Sequence, residues 1–208
     1  MVHPELILFA KQPLPGRVKT RLSPPATGRQ AAKIAAMLIR HTAELAASYW
    51  PGDVRLYGSP DADHPLFREL AATLHLHLAD QAEGDLGRKM RSALADGIRR
   101  RGAAAVMGCD VPHCPGSVLE QAFEWLARGR NVIGPSTDGG FYFIGASREI
   151  PGLFDGVAWG GNMVAAATVG AAEAGGVEFE SLPRLRDVDT WADVVEVATA
   201  YAPLREFL

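Results

Sequence analysis

The feature that most constrains the fold is a regular alternation of short apolar runs with longer segments of helical spacing. The runs of strand length are Leu6–Ala10, Val54–Tyr57, Leu74–Leu78, Ala103–Gly108 and Asn131–Gly134. Between them, apolar residues recur every three or four positions in Gly28–Trp50, Leu66–Thr73, Gly87–Arg101 and Ser117–Arg128. Repeated strand–helix units predict an α/β fold of three layers, in which helices cover both faces of a mostly parallel sheet.

The last third of the chain is less regular but continues the alternation of strands and helices. It predicts two further strands and two further helices, in Phe141–Gly145, Met163–Ala174, Val177–Phe179 and Thr190–Tyr201. Ser117 and Thr190 are the expected N-caps of their helices. No linker or internal repeat interrupts the pattern, so we expect one domain over residues 1–208.

Composition narrows the classes of function. The net charge of -3 gives no general reason to bind nucleic acid or an anionic membrane, so neither is an expected partner. No stretch reaches the roughly 20 apolar residues of a membrane span, and no signal peptide is evident. The only two cysteines, Cys109 and Cys114, are too few for a disulfide framework, which favours the reducing cytoplasm.

A basic loop follows the first predicted strand. Four cations lie within about a dozen residues, at Lys11, Arg17, Lys19 and Arg21, with Gly16 and two prolines shaping the backbone. Ligands of such sheets bind beyond the carboxyl ends of the strands, and phosphates need charge-assisted donors on a fixed loop. The loop therefore predicts a phosphate site, although a solvated basic loop has the same composition. It is not a P-loop, because no GxxxxGK[ST] is present.

Acidic and glycine-rich segments follow later strands. Asp110, in GCDVP, comes at the end of a strand, where it could hold Mg²⁺ with substrate phosphates or cap the next helix. Asp187 and Asp189 would point to the same side if their segment is extended; one could complete a metal site with Asp110 and the other could cap the last helix. The segment Asp138-Gly139-Gly140 allows close approach of a ligand, but a hairpin turn explains it equally well.

Other candidates carry weaker signals. Gly84 and Asp85 could contact a base or ribose, or could mark only the start of a helix. The six histidines show no metal-ligand spacing. Cys109 is expected to be packed rather than reactive.

Five segments in this order resemble a known family: LILFAKQPLPGRVKTRL, EGDLGRKM, GCDVP, DGGFYFIG and RDVDT. They are similar to the bacterial glycosyltransferase-A-like proteins called radical-SAM/selenodomain-associated transferases and, more distantly, to molybdenum-cofactor and phospholactate guanylyltransferases. The resemblance spans almost the whole chain. It implies the nucleotide-diphospho-sugar transferase (GT-A-like) fold and a loop that holds nucleotide phosphates.

The resemblance also implies roles for single positions. Lys11, Arg17, Lys19 and Arg21 would contact the phosphates of a nucleotide. Beside this resemblance, we expect Gly16, Gly84 and Asp85 to take part in nucleotide binding, and Lys19, Arg21 and Asp110 to act in catalysis. Mg²⁺ or Mn²⁺ would be held by Asp110 and Asp189, with Asp187 as a further ligand. The acceptor side would comprise Asp138, Gly139, Gly140 and Trp159.

Two departures from relatives stand out. The guanylyltransferases open with a Gly-Gly-rich loop, whereas Pro13 and Pro15 stiffen this one; relatives show Trp-Ser-Thr where this chain has Trp159-Gly160-Gly161. The expected reaction is glycosyl transfer from a nucleotide-sugar to a small acceptor. Nucleotidyl transfer with pyrophosphate release and non-catalytic nucleotide binding are the alternatives. The sequence permits a homodimer.

Overall fold

Seven strands form one sheet in the computed structural model, which describes residues 2–208. The strands are β1 Glu5–Lys11, β2 Val54–Ser59, β3 His77–Asp80, β4 Ala104–Gly108, β5 Asn131–Pro135, β6 Phe141–Ala146 and β7 Phe179–Ser181. Their order across the sheet is β3-β2-β1-β4-β6-β5-β7, and every neighbouring pair is parallel except those that include β6. The prediction of a mostly parallel sheet is confirmed.

In the described residues, six α-helices cover this sheet: α1 Gly28–Tyr49, α2 Pro65–Leu74, α3 Leu86–Arg101, α4 Gly116–Ala127, α5 Val164–Ala174 and α6 Trp191–Val197. The main apolar cluster lies between the sheet and α1, α2 and α4, and a second cluster lies on the opposite face under α3 and α5. The predicted three layers are therefore present. Within residues 2–208, no helix combines the length and the hydropathy needed to cross a bilayer.

The chain topology gathers the predicted site residues at one edge. Because β1, β2, β3, β4, β5 and β7 all run in the same direction, their carboxyl ends share that edge of the sheet. The turn between β5 and β6 also lies there, and so does the segment after β7. Loops that are distant in sequence can thus meet in one site.

Several predicted boundaries are wrong for local reasons. β3 begins at His77 rather than Leu74, because α2 runs to Leu74 and ends in a left-handed residue, His75. Ser117 is not an N-cap: α4 begins at Gly116, after Pro115. The last strand is shifted by two residues, and the closing helix ends at Val197 before a separate 3-10 turn, Ala202–Phe207.

The fold bears on two of the alternatives that the sequence left open. Thr190 caps α6 as predicted, in a capping box with Asp193. Residues 136–140 form the turn of the antiparallel β5–β6 pair, with Gly139 at a positive φ of 92°, so this segment makes a hairpin turn.

The opposite edge of the sheet holds a buried carboxylate. Glu5, at the start of β1, is fully buried and accepts hydrogen bonds from Arg55 Nε at 2.6 Å and from Arg100 Nη2. Arg100 also donates to the Tyr57 hydroxyl at 3.2 Å. This cluster ties β1, β2 and α3 together well away from the residues predicted to act.

We predict that Glu5→Ala destabilises the fold by about 3 kcal/mol, because it leaves two partly buried arginines without their carboxylate. Urea unfolding measures the loss. Asp96→Ala removes an exposed partner of Arg99 and should cost under about 0.5 kcal/mol. Equal losses in the two variants would contradict this account of the cluster.

Candidate functional site

The basic loop leaves β1 as a constrained segment. Gly16 has a positive φ of 75°, and the Arg17 amide donates to the Leu14 carbonyl at 3.0 Å. A Cβ on Gly28, the first residue of α1, would lie 3.1 Å from the Gly16 amide nitrogen. The loop is therefore packed closely against the N-terminus of α1, an end of a helix that favours anions.

Lys19 adopts a backbone conformation that is rare for a residue with a side chain. Its φ and ψ are 47° and 38°, in the left-handed region, and it precedes a short 3-10 turn, Thr20–Leu22. Val18 before it is buried against Ala32 and Ala35 of α1. Such strained residues persist where the surrounding packing holds them, and they cluster at functional sites.

The Lys19 ammonium joins two carboxylates that are far apart in sequence. Its Nζ lies 2.6 Å from Asp110 Oδ1 and 2.9 Å from Asp189 Oδ1, and its side chain is only 9% exposed. Burial alone would lower the pKa of Lys19, but the two carboxylates outweigh burial and hold the pKa above its ordinary value. The ammonium is thus charged at neutral pH.

Asp110 and Asp189 are also connected through the backbone. The Val188 amide donates to the Asp110 carbonyl at 2.8 Å, and the Val188 side chain is fully buried between α1 and α6. Arg21 approaches the other oxygen of Asp189 at 3.5 Å. The sequence left open whether Asp110 and Asp189 meet; the structure brings them together around Lys19.

A cavity of about 270 Å³, called here the basic cavity, opens beside this ion pair. All four cations of the loop line it, at Lys11, Arg17, Lys19 and Arg21, and so do Asp110 and Asp189. The prolines and the strained backbone fix the loop, so its cations converge on one volume. This is the arrangement that phosphate binding requires.

A second cavity of about 300 Å³, called here the apolar cavity, lies on the other side of Asp110. Asp138, Gly140 and Trp159 of the predicted acceptor side line it. Phe9 and Asp110 line both cavities, so the two volumes adjoin at the end of β1 and β4. Most of its other lining residues are apolar, among them Met90, Val106 and Phe141.

Comparisons with known proteins place the chain in a family. Residues 42–161 match the family described as an uncharacterized protein conserved in bacteria, DUF2064. The chain belongs to this family. No protein of curated function matches the chain. The matched residues contain Asp110, Asp138 and Trp159 but not the basic loop or Asp189.

Solved structures extend the comparison over the rest of the chain. A candidate nucleotide-diphospho-sugar transferase from Desulfovibrio desulfuricans G20 is 28% identical, with a TM-score of 0.77 over 98% of this chain and 99% of its own. Rv0371c of Mycobacterium tuberculosis H37Rv, solved with manganese, is 17% identical, with a TM-score of 0.53 over 100% of both chains.

A CMP:2-keto-3-deoxy-manno-octonic acid synthetase complexed with CTP is more distant. It is 11% identical, with a TM-score of 0.53 over 96% of this chain and 99% of its own. The structure has the nucleotide-diphospho-sugar transferase fold, and the resemblance drawn from the motifs is confirmed.

Not every predicted residue of this DUF2064 protein lines a cavity. Gly139 packs on its own chain, since a Cβ there would collide with the Asn162 carbonyl oxygen. Asp85 caps α3 by accepting a hydrogen bond from the Arg88 amide at 2.8 Å, and Gly84 packs against the Arg88 side chain. The proposed contacts of Gly84 and Asp85 with a nucleotide stay a prediction. Cys109 is buried, and burial raises the pKa of its thiol.

Sequence reasoning missed most of the apolar cavity. Phe9, Leu86, Met90 and Val164 line it, but they read as ordinary core residues in the sequence. One usable signal was Leu86, at the start of a helix next to the EGD loop. It remains 45% exposed.

Within residues 2–208, no group of three or more histidine, cysteine or acidic side chains is arranged to hold a metal ion by itself. The donor set still fits a divalent cation, because Mg²⁺ is commonly held by one or two carboxylates with substrate phosphates as the other ligands. Asp110 and Asp189 already share one cation, the Lys19 ammonium, in the lining of the basic cavity.

Asp187 carries the clearest sign of excess negative charge. Burial first, and then the neighbouring carboxylates, raise the pKa of Asp187 to about 6. Those carboxylates belong to Asp138, Asp189 and Asp110. Asp187 also lines a small cavity together with Asp138 and Asp189. Ionisation of Asp187 therefore costs free energy in the folded state, and a bound cation would lower that cost.

We predict that Asp187→Asn stabilises the metal-free protein at pH 8, on the order of 1 kcal/mol after solvent screening. Because the pKa of Asp187 is raised in the folded state, its ionisation lowers the stability of the wild-type protein above about pH 6. This loss shrinks as the pH falls toward about 4, near the ordinary pKa of an aspartate. Thermal melts in EDTA between pH 4 and 8 measure the difference. A pH-independent difference would contradict the raised pKa.

Proposed function

We propose that this protein is a transferase. It binds the phosphates of a nucleotide-sugar in the basic cavity and passes the glycosyl group to a small acceptor in the apolar cavity. One observation carries the proposal: the Lys19–Asp110–Asp189 cluster lines the basic cavity, and its Asp110 also lines the apolar cavity. Charge that develops on a leaving phosphate would form beside this cluster.

The basic loop supplies the donors for phosphate. Lys11 and Arg17 are exposed and make no ion pair within residues 2–208, so they are available to a ligand. Arg offers a planar fork for two phosphate oxygens, and Lys offers a compact charge. The preformed loop lowers the cost of ordering these side chains on binding.

Lys19 and Arg21 would stabilise the leaving group. Both contact Asp189 in the structure and both line the basic cavity, which places their charges beside a phosphate bound there. Fixed donors aimed at developing charge often lower the barrier of such reactions more than any other single effect. Holding donor and acceptor on the two sides of Asp110 adds the benefit of proximity.

Asp110 and Asp189, with Asp187 nearby, would hold Mg²⁺ or Mn²⁺. A divalent ion bound there would neutralise phosphate oxygens of the donor. The manganese in the structure of Rv0371c supports this proposal. The candidate activity of the Desulfovibrio protein, similar over nearly the full chain, supports glycosyl transfer.

Nucleotidyl transfer is the second candidate. Four cations on one loop can balance the charge of a triphosphate as well as that of a diphosphate. The CTP-bound synthetase shows that this fold binds a nucleoside triphosphate in another protein. Nucleotidyl transfer would release pyrophosphate. A non-catalytic nucleotide-binding module, the third alternative, would release no product.

A panel of nucleotides and nucleotide-sugars with Mg²⁺ or Mn²⁺ tests the proposal through the melting temperature. We predict that at least one nucleotide-sugar stabilises the wild type and that Asp110→Asn abolishes the metal-dependent part of the shift. Asp63→Asn, which alters an exposed aspartate paired with Arg68, should leave the shift unchanged. Stabilisation of Asp110→Asn equal to that of the wild type would rule out the assigned role of Asp110.

The products formed with any stabilising ligand separate the candidates. Release of a nucleoside diphosphate supports glycosyl transfer, whereas pyrophosphate supports nucleotidyl transfer. Binding without turnover across an acceptor panel would favour the binding module.

We further predict that Lys19→Met raises the affinity for Mn²⁺ in the absence of nucleotide about tenfold, or roughly 1.4 kcal/mol. The variant removes the cation that now neutralises Asp110 and Asp189, so Mn²⁺ no longer competes with it. Electron paramagnetic resonance of free Mn²⁺ measures the affinity. Lys33→Met, on the exposed side of α1, is the matched control, and equal affinities in all three proteins would refute competition at this site.

A further inference from the structure

The walls of the apolar cavity define a chemical class of ligand. Phe9, Met90, Val106, Phe141 and Trp159 line it, and within residues 2–208 no lysine, arginine or histidine does. Leu86 adds a large apolar side chain at its rim that packing leaves 45% exposed. An apolar surface left open at a cavity commonly marks a binding site for a ligand.

The charged groups at this cavity are all acidic. Asp110 stands at the side shared with the basic cavity, and Asp138 stands on the hairpin turn between β5 and β6. Asp138 uses one oxygen to accept a hydrogen bond from the Gly140 amide at 2.9 Å. An anion in this cavity would face Asp138 without a compensating cation among the lining residues, and burying it there would be costly.

The aromatic wall is held in place by its surroundings. The Trp159 ring makes an edge-to-face contact with Phe141 at 6.4 Å and a tilted contact with Phe154 at 6.0 Å. On α3, Gly87 makes room for the indole, because a Cβ there would lie 2.8 Å from Trp159 Cζ2. The wall is therefore preformed, so little ordering is needed when a ligand binds.

We propose that the apolar cavity takes an acceptor whose bound portion is apolar and carries no negative charge. This proposal rests on the transferase function proposed above and narrows its acceptor. An acceptor anchored in this cavity by a phosphate or carboxylate is excluded, because the basic groups lie on the other side of Asp110. A neutral aromatic or aliphatic group fits the walls, and an attached cation is further stabilised by Asp138 and by the aromatic faces.

Three small probes of similar shape test the charge rule: benzylamine, benzyl alcohol and benzoate. The protein contains four tryptophans, so labelling with 5-fluorotryptophan gives four ¹⁹F resonances, and Trp159→Phe identifies the resonance of Trp159. We expect benzylamine and benzyl alcohol to shift that resonance and to bind at least about tenfold more tightly than benzoate.

A pair of variants checks the role of Asp138. Asp138→Asn should weaken benzylamine several-fold and leave benzyl alcohol unchanged. Asp155→Asn removes an exposed partner of Arg91 outside the cavity lining and should change neither. Benzoate binding as tightly as benzyl alcohol, or no shift of the Trp159 resonance with any probe, would overturn the proposal.

The same samples separate this inference from the function on which it rests. Nucleotide-sugar and Mn²⁺ are added to each, and the melting temperature is measured. If the nucleotide-sugar raises the melting temperature but benzoate binds as tightly as benzyl alcohol at Trp159, only the proposed acceptor class is rejected. If the probes bind in the expected order but no nucleotide-sugar raises the melting temperature, the transferase function is rejected. The apolar cavity would then be a binding site with a different function.

Discussion

The site depends on a single buried ammonium held between two carboxylates. Lys19 comes from the loop after β1, Asp110 from the loop after β4 and Asp189 from the segment after β7. The ammonium between them offsets the repulsion that two neighbouring carboxylates exert in a partly buried site. Lys19 therefore fixes the distance between three segments that the sheet only brings to a common edge.

The rest of the site follows from that cluster. The left-handed backbone at Lys19 is held by Val18, which is buried against α1, and it directs the side chain inward. Asp189 is held by Val188, whose amide donates to the Asp110 carbonyl and whose side chain is buried against α1 and α6. Once these anchors are in place, the cations of the loop face one cavity and the aromatic groups near Asp138 face another. The basic cavity and the apolar cavity are thereby separated by Asp110.

Much of the fold could be predicted from the sequence, because strand-length apolar runs and helical spacing report the local environment of each residue directly. The strand–helix alternation predicted the layers, and Thr190 predicted the start of α6. The antiparallel β6 could not be derived in this way, since its pairing depends on a hairpin turn at Asp138-Gly139 that reads equally well as a ligand loop. The boundaries at His75 and Ser117 failed for a related reason: a left-handed cap and a proline N-cap leave little periodic signal.

The basic loop was visible because four cations cluster in a chain of net charge -3. The contact of Asp110 and Asp189 with one ammonium could not be predicted from the sequence. The two residues are far apart along the chain, and no local pattern reports their distance in space. The apolar cavity was the least visible element, since Phe9, Met90 and Val106 have the spacing of core residues and only the folded structure shows that they line a cavity.

A crystal structure with Mn²⁺ and a non-hydrolysable nucleotide-sugar tests the central claim most directly. The account predicts an anomalous manganese peak shared by Asp110 and Asp189, phosphates among Lys11, Arg17 and Arg21, and the Lys19 ammonium turned from the carboxylates toward a phosphate oxygen. A nucleotide bound outside the basic cavity, with Lys19 still between Asp110 and Asp189, would contradict it.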